Sequence, residues 1–169
     1  MACLVGCGRG KKGWAETSGA AIWRQNRVEW SVRRILTGHF RRRGSQRQGK
    51  ISFFMKSRGE EAVAVGVCAH LDDPDFVAST HRGHGHCIAK GVDVSGMMAE
   101  LFGRATGLCK GRGGSMHIAD LELGMLGCNG IVGGGMGITA GAALSVKLRG
   151  TDQVSVGFFG DGGANTGIT

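Results

Sequence analysis

Residues 154–165 read VSVGFFGDGGAN. The β-branched and aromatic run over 154–159 predicts a buried strand, so the acidic turn after it lies at the carboxyl end of that strand. Ligands bind at this edge of an open α/β sheet. The glycines let backbone N–H groups approach an anion, and the Asp161 carboxylate is a hard oxygen ligand for Mg²⁺ or Ca²⁺. The stretch therefore predicts a site for a metal-bridged diphosphate, with an ordinary Asp-Gly turn as the alternative.

A second polar loop follows another predicted strand. Residues 76–80 read FVAST, and HRGHGH occupies positions 81–86. Arg82 suits a diphosphate because a guanidinium forms paired, charge-assisted hydrogen bonds with phosphate oxygens, although a surface ion pair is the alternative. Arg82 and Asp161 can serve one diphosphate only if their strands are neighbours in a parallel sheet. The three histidines also raise the question of a metal cluster, which their spacing in a glycine-rich loop does not settle.

Apolar spacing and glycine caps predict the remaining elements. Residues 49–55 predict a strand or extended segment, 59–70 a helix with acidic residues in its first turn, and 95–103 a short helix. Residues 107–115 hold four glycines with Lys110 and Arg112 and predict a loop. The uncharged residues 123–146 are long enough for a membrane span, but their eight glycines would make a poor lipid-facing helix. We therefore predict a buried loop, followed by a buried helix over 138–148.

The basic charge of the chain is concentrated in its first third. The formal net charge is +8 at pH 7, yet residues 1–58 hold 14 Lys and Arg against 2 Asp and Glu, whereas residues 59–169 hold 7 against 11. Residues 1–45 mix arginine, glycine and tryptophan without a period, which predicts a disordered or non-native segment. The alternative is a nucleic-acid-binding segment in which tryptophans stack on bases. The predicted folded part is therefore 46–169.

The cysteines point to a reducing compartment. They include no C-x-x-C pair and no zinc-site spacing, at positions Cys3, Cys7, Cys68, Cys87, Cys109 and Cys128. No signal peptide is visible at the amino terminus. We expect a cytoplasmic protein that does not bind membranes.

Four short motifs together resemble one enzyme family. In chain order they are HRGHG at 81–85, KGRGGSMH at 110–117, NGIVG at 129–133 and GDGGAN at 160–165. Their order and approximate separation are similar to those in the α subunit of thiamine-diphosphate-dependent 2-oxo acid and acetoin dehydrogenases, the first component of these complexes. The resemblance covers residues 46–169. It implies an α/β fold with a partial parallel sheet of the thiamine-diphosphate-binding fold.

The resemblance implies roles for individual residues. Asp161 would ligate Mg²⁺, His84 would be catalytic, and Arg82 would bind the diphosphate. Gly130 and Val132 would contact the aminopyrimidine ring. The full set of implied cofactor-binding residues is His81, Arg82, Gly130, Val132, Asp161, Gly162 and Gly163, of which His81 stands where many members have tyrosine and the last two would lie along the diphosphate.

The implied reaction is the cleavage of acetoin or the decarboxylation of pyruvate or another 2-oxo acid, with transfer of the acyl unit to a lipoyl group. The cofactor's thiazolium supplies the nucleophile, and protein groups hold and polarise it. The implied partners are a β subunit, in a heterotetramer, and a lipoyl-bearing acyltransferase. A further metal-ligating Asn and a β-subunit glutamate lie outside the chain, so we expect this chain alone to be inactive. An inert truncated fragment is the alternative.

Two departures from the family pattern leave the substrate open. Met55 stands where pyruvate-using relatives often carry a histidine near the substrate, and Gly163 replaces the more usual alanine, a mild change. The HRGHGH form at 81–86 resembles acetoin and pyruvate members, whereas 49–55 resembles branched-chain members.

Overall fold

The computed structural model describes residues 28, 29, 31, 33, 35, 44–51 and 53–168. Within these residues the backbone is helical at the described positions of 28–35 and over 44–47. The elements that follow are α1 Glu61–Cys68, β1 Phe76–Thr80, α2 His84–Lys90, α3 Val94–Leu101, β2 Met125–Asn129, α4 Gly134–Arg149, β3 Ser155–Gly157 and α5 Asp161–Ala164.

The three strands form one parallel sheet in the order β2-β1-β3. β1 is central: Thr80 pairs with Asn129 of β2 on one side, and Ala78 pairs with Gly157 of β3 on the other. The chain passes from β1 to β2 through α2 and α3, and α4 then carries it back across β1 to β3. Because one connection leads from β1 to β2 and the next crosses back over β1 to β3, the carboxyl ends of the three strands border a crevice. The predicted α/β fold with a parallel sheet is confirmed.

α4 packs closely on the sheet because the β3 residue opposite Thr139 of this helix is a glycine, Gly157. A Cβ atom added at Gly157 would lie 2.5 Å from the Thr139 Oγ1 atom. The Thr139 hydroxyl donates to the Gly135 carbonyl over 2.8 Å, and the Ser155 hydroxyl donates to the Thr139 carbonyl over 3.1 Å. These bonds satisfy the buried hydroxyls between helix and sheet. A larger residue at position 157 would push the helix away from β3.

A hydrophobic cluster joins the strands to the first three helices. Val77, Met125 and Val156 place one buried side chain from each strand in it. Ile88 of α2 is also fully buried there. Ile35 lies in the same cluster with 1% of its surface exposed, so this residue of the basic segment contributes to the core. Most of residues 1–45 lie outside the described residues, and the boundary at 45/46 stays a prediction.

Several predicted elements agree with the structure within a few residues. The strand over 76–80 is β1, and the helices predicted over 59–70 and 95–103 are α1 and α3. α3 begins earlier because the Asp93 carboxylate accepts hydrogen bonds from the backbone N–H groups of residues 95 and 96, over 3.2 and 2.7 Å. The strand predicted over 154–159 is shorter, and the described residues between 49 and 55 form no strand.

Two elements were predicted wrongly as loops. β2 lies where the sequence predicts a buried loop. The prediction was wrong because three glycines within or beside the strand hide its alternation. α2 begins inside the predicted loop at 81–86, and α4 begins four residues before 138. All seven residues of α2 are buried, so tertiary packing stabilises a helix that local propensity does not favour. Among the described residues, no helix has both the length and the apolar character needed to cross a membrane.

A buried carboxylate organises the glycine-rich loop at 107–115. Glu100 of α3 is 1% exposed, and its side chain accepts four backbone hydrogen bonds of 2.6 to 3.1 Å. Burial by itself would raise the pKa of Glu100, but the four N–H donors together outweigh it and lower the pKa below its usual 4.5. The donors are Cys109, Gly111, Gly113 and Gly114.

We predict that Glu100→Gln lowers the free energy of unfolding by about 2 to 3 kcal/mol, because the amide presents an NH₂ group to N–H donors. Urea denaturation at pH 7 measures the effect, and Glu122→Gln, at an exposed carboxylate, is the control. The contribution of Glu100 is present above pH 4.5 and is lost as the pH falls through its lowered pKa. Equal stability of the two variants at pH 7 would contradict this role.

Candidate functional site

The carboxyl ends of the three strands surround a cavity of about 260 Å³, here the first cavity. Its walls are residues 79–82 at the end of β1, Asn129 and 131–133 after β2, and 158–163 after β3, with part of the first turn of α4. These loops are distant in sequence. They meet because β1 lies between β2 and β3.

The first cavity brings together most of the cofactor-binding residues expected from the sequence. Gly130 is the exception, since it does not line the cavity and a Cβ atom added there would lie 3.1 Å from the His117 ring. The expectation that the loops of Arg82 and Asp161 share one edge of the sheet agrees with the structure. The members that line the cavity are His81, Arg82, Val132, Asp161, Gly162 and Gly163, whose individual roles stay predictions.

Arg82 forms one hydrogen bond through its backbone and one through its side chain. Its backbone N–H donates to the Thr80 hydroxyl over 3.2 Å, and its side-chain Nη1 donates to the Lys56 carbonyl over 2.7 Å. The guanidinium has five N–H donors, so the bond to Lys56 leaves others for an anion. Across the described ranges Arg82 forms no ion pair with an acidic side chain. The side chain is therefore oriented but not neutralised.

α5 supplies further donors directly after β3. Its first intrahelical bond runs from the Ala164 N–H to the Gly160 carbonyl over 3.0 Å. The N–H groups of residues 161 and 162 precede this bond and have no acceptor within the helix. Backbone N–H groups at a helix start favour an anion, and the exposed Asp161 carboxylate beside them favours a cation. The two preferences together fit a diphosphate that carries a metal ion.

The loops after β2 and β3 lie against each other. Gly133 has a φ of 83°, in the left-handed region, and a Cβ atom there would lie 2.5 Å from the Thr166 Oγ1 atom. Val132 Cγ1 is 3.7 Å from the position of a Cβ atom on Gly162. An alanine at Gly163 would place its Cβ 3.2 Å from the Phe159 Cβ atom, which requires only a small shift. Close packing of these loops closes one side of the cavity.

His84 lies in the core and does not line the first cavity. Its ring is 1% exposed and stacks on Phe54, with centroids 5.1 Å apart. Its Nε2 atom is 3.3 Å from the Ser115 Oγ atom, which also accepts a 2.9 Å hydrogen bond from the Met55 N–H. Ser115 thus ties the 107–115 loop to the segment whose Lys56 carbonyl holds Arg82. The catalytic role expected for His84 stays a prediction.

Sequence reasoning did not single out His86, which the structure places beside the site. Its ring is 3% exposed, stacks on Phe158 with centroids 3.9 Å apart, and has Nδ1 2.8 Å from the Ser79 Oγ atom. Burial lowers the pKa of His86 to about 4, so the ring is neutral at pH 7. In the sequence it is only the third histidine of a glycine-rich run. Its place next to Ser79 of β1 depends on α2, a helix that the sequence did not predict.

His86 lines a second cavity, of about 150 Å³, which adjoins the first. Arg82 and Asp161 belong to the walls of both cavities. Glu60, Val63 and Phe158 also line the second cavity.

The three histidines of 81–86 do not gather into a metal cluster. His81 lines both cavities, whereas the rings of His84 and His86 are buried against different aromatic partners. Within the described part of the chain, no three His, Cys, Asp or Glu side chains are grouped to hold a metal ion. A Mg²⁺ ion at Asp161 would therefore take most of its ligands from the diphosphate and from water.

A family model of the dehydrogenase E1 component matches residues 31–169. The chain belongs to this family. The resemblance carried by the four motifs is confirmed, and the match begins earlier than residue 46.

Curated relatives give the same assignment. The chain is 72% identical over 109 residues to the α subunit of acetoin:2,6-dichlorophenolindophenol oxidoreductase from Bacillus subtilis, which covers 64% of this chain and 33% of the relative. It is 47% identical over 109 residues to the pyruvate dehydrogenase E1 component subunit alpha of Rhizobium meliloti, with 64% and 31% covered. Identity to the corresponding subunit of Zymomonas mobilis is 40% over 148 residues, with 85% and 42% covered. The chain thus spans between 31% and 42% of the length of these relatives.

We predict that Ser115→Ala loosens the segment that orients Arg82 in this E1 chain. Loss of the hydroxyl removes the acceptor of the Met55 N–H, which should speed hydrogen exchange of that amide about tenfold. Exchange measured by NMR at the Met55 amide tests this, with Ser95→Ala, at an exposed serine, as the control. An unchanged rate in Ser115→Ala would remove the proposed link.

Proposed function

We propose that this chain is the cofactor-binding part of the α subunit of a thiamine-diphosphate-dependent E1 dehydrogenase. The enzyme cleaves acetoin, or decarboxylates pyruvate or another 2-oxo acid, and passes the acyl unit to a lipoyl group. One observation carries the proposal: Arg82 and Asp161, from loops far apart in the sequence, line the same cavity at the carboxyl edge of the sheet. Because the chain belongs to the E1 family, we interpret this pair as the site of the cofactor's diphosphate and its metal ion.

The residues of the first cavity suit the diphosphate end of the cofactor. The Arg82 guanidinium supplies positive charge and donors, and the N–H groups of residues 161 and 162 supply further donors. Asp161 alone would repel a diphosphate, and a bridging Mg²⁺ turns that repulsion into attraction. When bound, the cofactor supplies a carbon nucleophile for the substrate carbonyl. Diphosphate binding and Mg²⁺ binding should therefore depend on each other.

Acetoin is the better supported substrate. Over 109 residues the acetoin:2,6-dichlorophenolindophenol oxidoreductase subunits of Bacillus subtilis and Cupriavidus necator are 72% and 59% identical to this chain, whereas the pyruvate dehydrogenase subunit of Rhizobium meliloti is 47% identical. Pyruvate is the second candidate, because the HRGHG pattern at 81–85 is shared with its dehydrogenases in the resemblance described above.

The proposed partners are a β subunit, in a heterotetramer, and a lipoyl-bearing acyltransferase, in the cytoplasm. The relatives carry the names of α subunits, which supports a second subunit. Exposed apolar residues on and before α4 support a protein contact there, because exposed apolar surface marks interaction sites. They are Ile131, Val132, Ile138, Leu144 and Leu148. The nucleic-acid alternative is not proposed, since its residues lie almost entirely outside the described ranges.

We predict that Asp161→Ala abolishes the Mg²⁺ dependence of cofactor binding in the complete α subunit with its β subunit. Calorimetric titration of thiamine diphosphate with and without Mg²⁺ measures the dependence. Without Mg²⁺ the variant should bind no more weakly than the wild type, because a repelling carboxylate is gone. Asp152→Ala, at an exposed carboxylate before β3, is the control. Full Mg²⁺ dependence of cofactor binding in Asp161→Ala would contradict the assignment of Asp161 as a metal ligand.

We predict that Arg82→Ala weakens thiamine diphosphate binding at saturating Mg²⁺ by at least about tenfold, since each charge-assisted hydrogen bond contributes about 1.5 to 3 kcal/mol. Arg82→Lys should recover only part of the loss, because an ammonium cannot form the paired bonds of a guanidinium. The same titration measures both. An affinity unchanged in Arg82→Ala would show that the diphosphate binds elsewhere.

A further inference from the structure

The turn over 129–133, directly after β2, is held by short hydrogen bonds but by little packing of its own side chains. The Asn129 Oδ1 atom accepts a bond from the Ile131 N–H over 2.9 Å, and the Ile131 carbonyl accepts one from the Gly134 N–H over 3.1 Å. Ile131 is 73% exposed and Val132 51%. Val132 nevertheless lines the first cavity, so the shape of that cavity depends on what holds the turn from outside.

α5 and the residues after it support the second half of the turn. Val132 Cγ1 lies 3.7 Å from the position of a Cβ atom on Gly162. The Thr166 Oγ1 and Ile168 Cγ2 atoms lie 2.5 and 3.2 Å from the position of a Cβ atom on Gly133. The first half of the turn needs a different support.

The ring of His117 supplies it at Gly130. A Cβ atom added at Gly130 would lie 3.1 Å from both the Cε1 and the Nε2 atoms of His117, which is closer than ordinary van der Waals contact. The edge of the ring therefore fills the space in which a side chain at position 130 would stand. Neither His117 nor Gly130 lines the first cavity, so the ring contacts the turn without bordering the site.

The backbone at His117 is fixed by two hydrogen bonds. The His117 carbonyl accepts one from the Cys109 thiol, over 3.3 Å, within the loop that Glu100 holds. The carbonyl of the next residue, Ile118, accepts one from the Cys128 N–H of β2 over 2.8 Å. His117 is thus anchored beside the carboxyl end of β2, where the turn begins.

We propose that His117 is a positioning residue, whose ring packs on Gly130 and keeps Val132 in the wall of the first cavity. Ser115, two residues earlier, reaches the segment that orients Arg82, so this stretch of chain supports two walls of the same cavity. The consequence for cofactor binding rests on the proposed function. The packing of the turn does not.

Hydrogen exchange in the turn tests the packing without any cofactor. It is measured by mass spectrometry on the peptide covering 129–133, in the complete α subunit with its β subunit. Because His117 is exposed, its replacement leaves the core intact. His117→Ala should speed exchange of this peptide about tenfold, since the turn loses a support. His117→Phe keeps a flat ring against Gly130 but no ring nitrogen, and should change the rate less than about threefold. His70→Ala, at another exposed histidine, is the control.

A double-mutant cycle tests the contact itself. Gly130→Ala places a methyl group against the ring, so it should speed exchange about threefold in the wild type. In a His117→Ala background the same methyl group meets no ring, and it should add less than the single change does. Equal effects of Gly130→Ala in the two backgrounds would show that the ring and the turn are independent.

The affinity for thiamine diphosphate, titrated by calorimetry with saturating Mg²⁺, connects the turn to the site. His117→Ala should raise the Kd about threefold to tenfold, and His117→Phe should stay within about twofold of the wild type. The inference is overturned if His117→Ala leaves the exchange rate or the Kd unchanged. It is also overturned if His117→Phe is as impaired as His117→Ala, because the ring nitrogens and not the packing would then matter. Failure of the wild type to bind thiamine diphosphate would instead overturn the proposed function.

Discussion

Parallel pairing of β1 with a strand on each side is the constraint on which the site depends. The bonds from β1 to β2 and to β3 bring three carboxyl ends to one edge, and each end carries a different group: Arg82, the turn at 131–133, and Asp161. Without the crossover by α4, Asp161 would not meet the other two. The cavity is therefore a product of strand order, and its chemistry comes from the loops that the order assembles.

Close backbone approach is the second condition, and glycine supplies it where side chains would collide. Gly157 admits Thr139 of α4 to the surface of the sheet, and Gly133 admits the end of α5 to the start of α4. Both contacts are tight enough that added atoms would separate the elements. The high glycine content of the chain is thus explained in part by packing between helices, strands and loops rather than by flexible linkers alone.

Buried polar groups then set the positions of the site residues. Glu100 holds the 107–115 loop by four N–H donors, and Ser115 at the end of that loop reaches His84 and the Met55 N–H. The adjoining Lys56 carbonyl orients Arg82. This series of contacts connects a structural carboxylate to the cationic side of the cavity. His84 belongs to this series through its contact with Ser115 in the core, and it does not border the first cavity.

The sequence by itself determined β1, the acidic turn after β3, the charged residues of the site and the family, because these depend on short runs of residues and on motifs in fixed order. It did not determine β2 or α2, whose glycines carry weak local preferences, and only pairing with β1 and burial decide their conformation. For the same reason His86 could not be predicted from the sequence. Its surroundings exist only in the tertiary fold, which places its Nδ1 atom against Ser79 and its ring against Phe158.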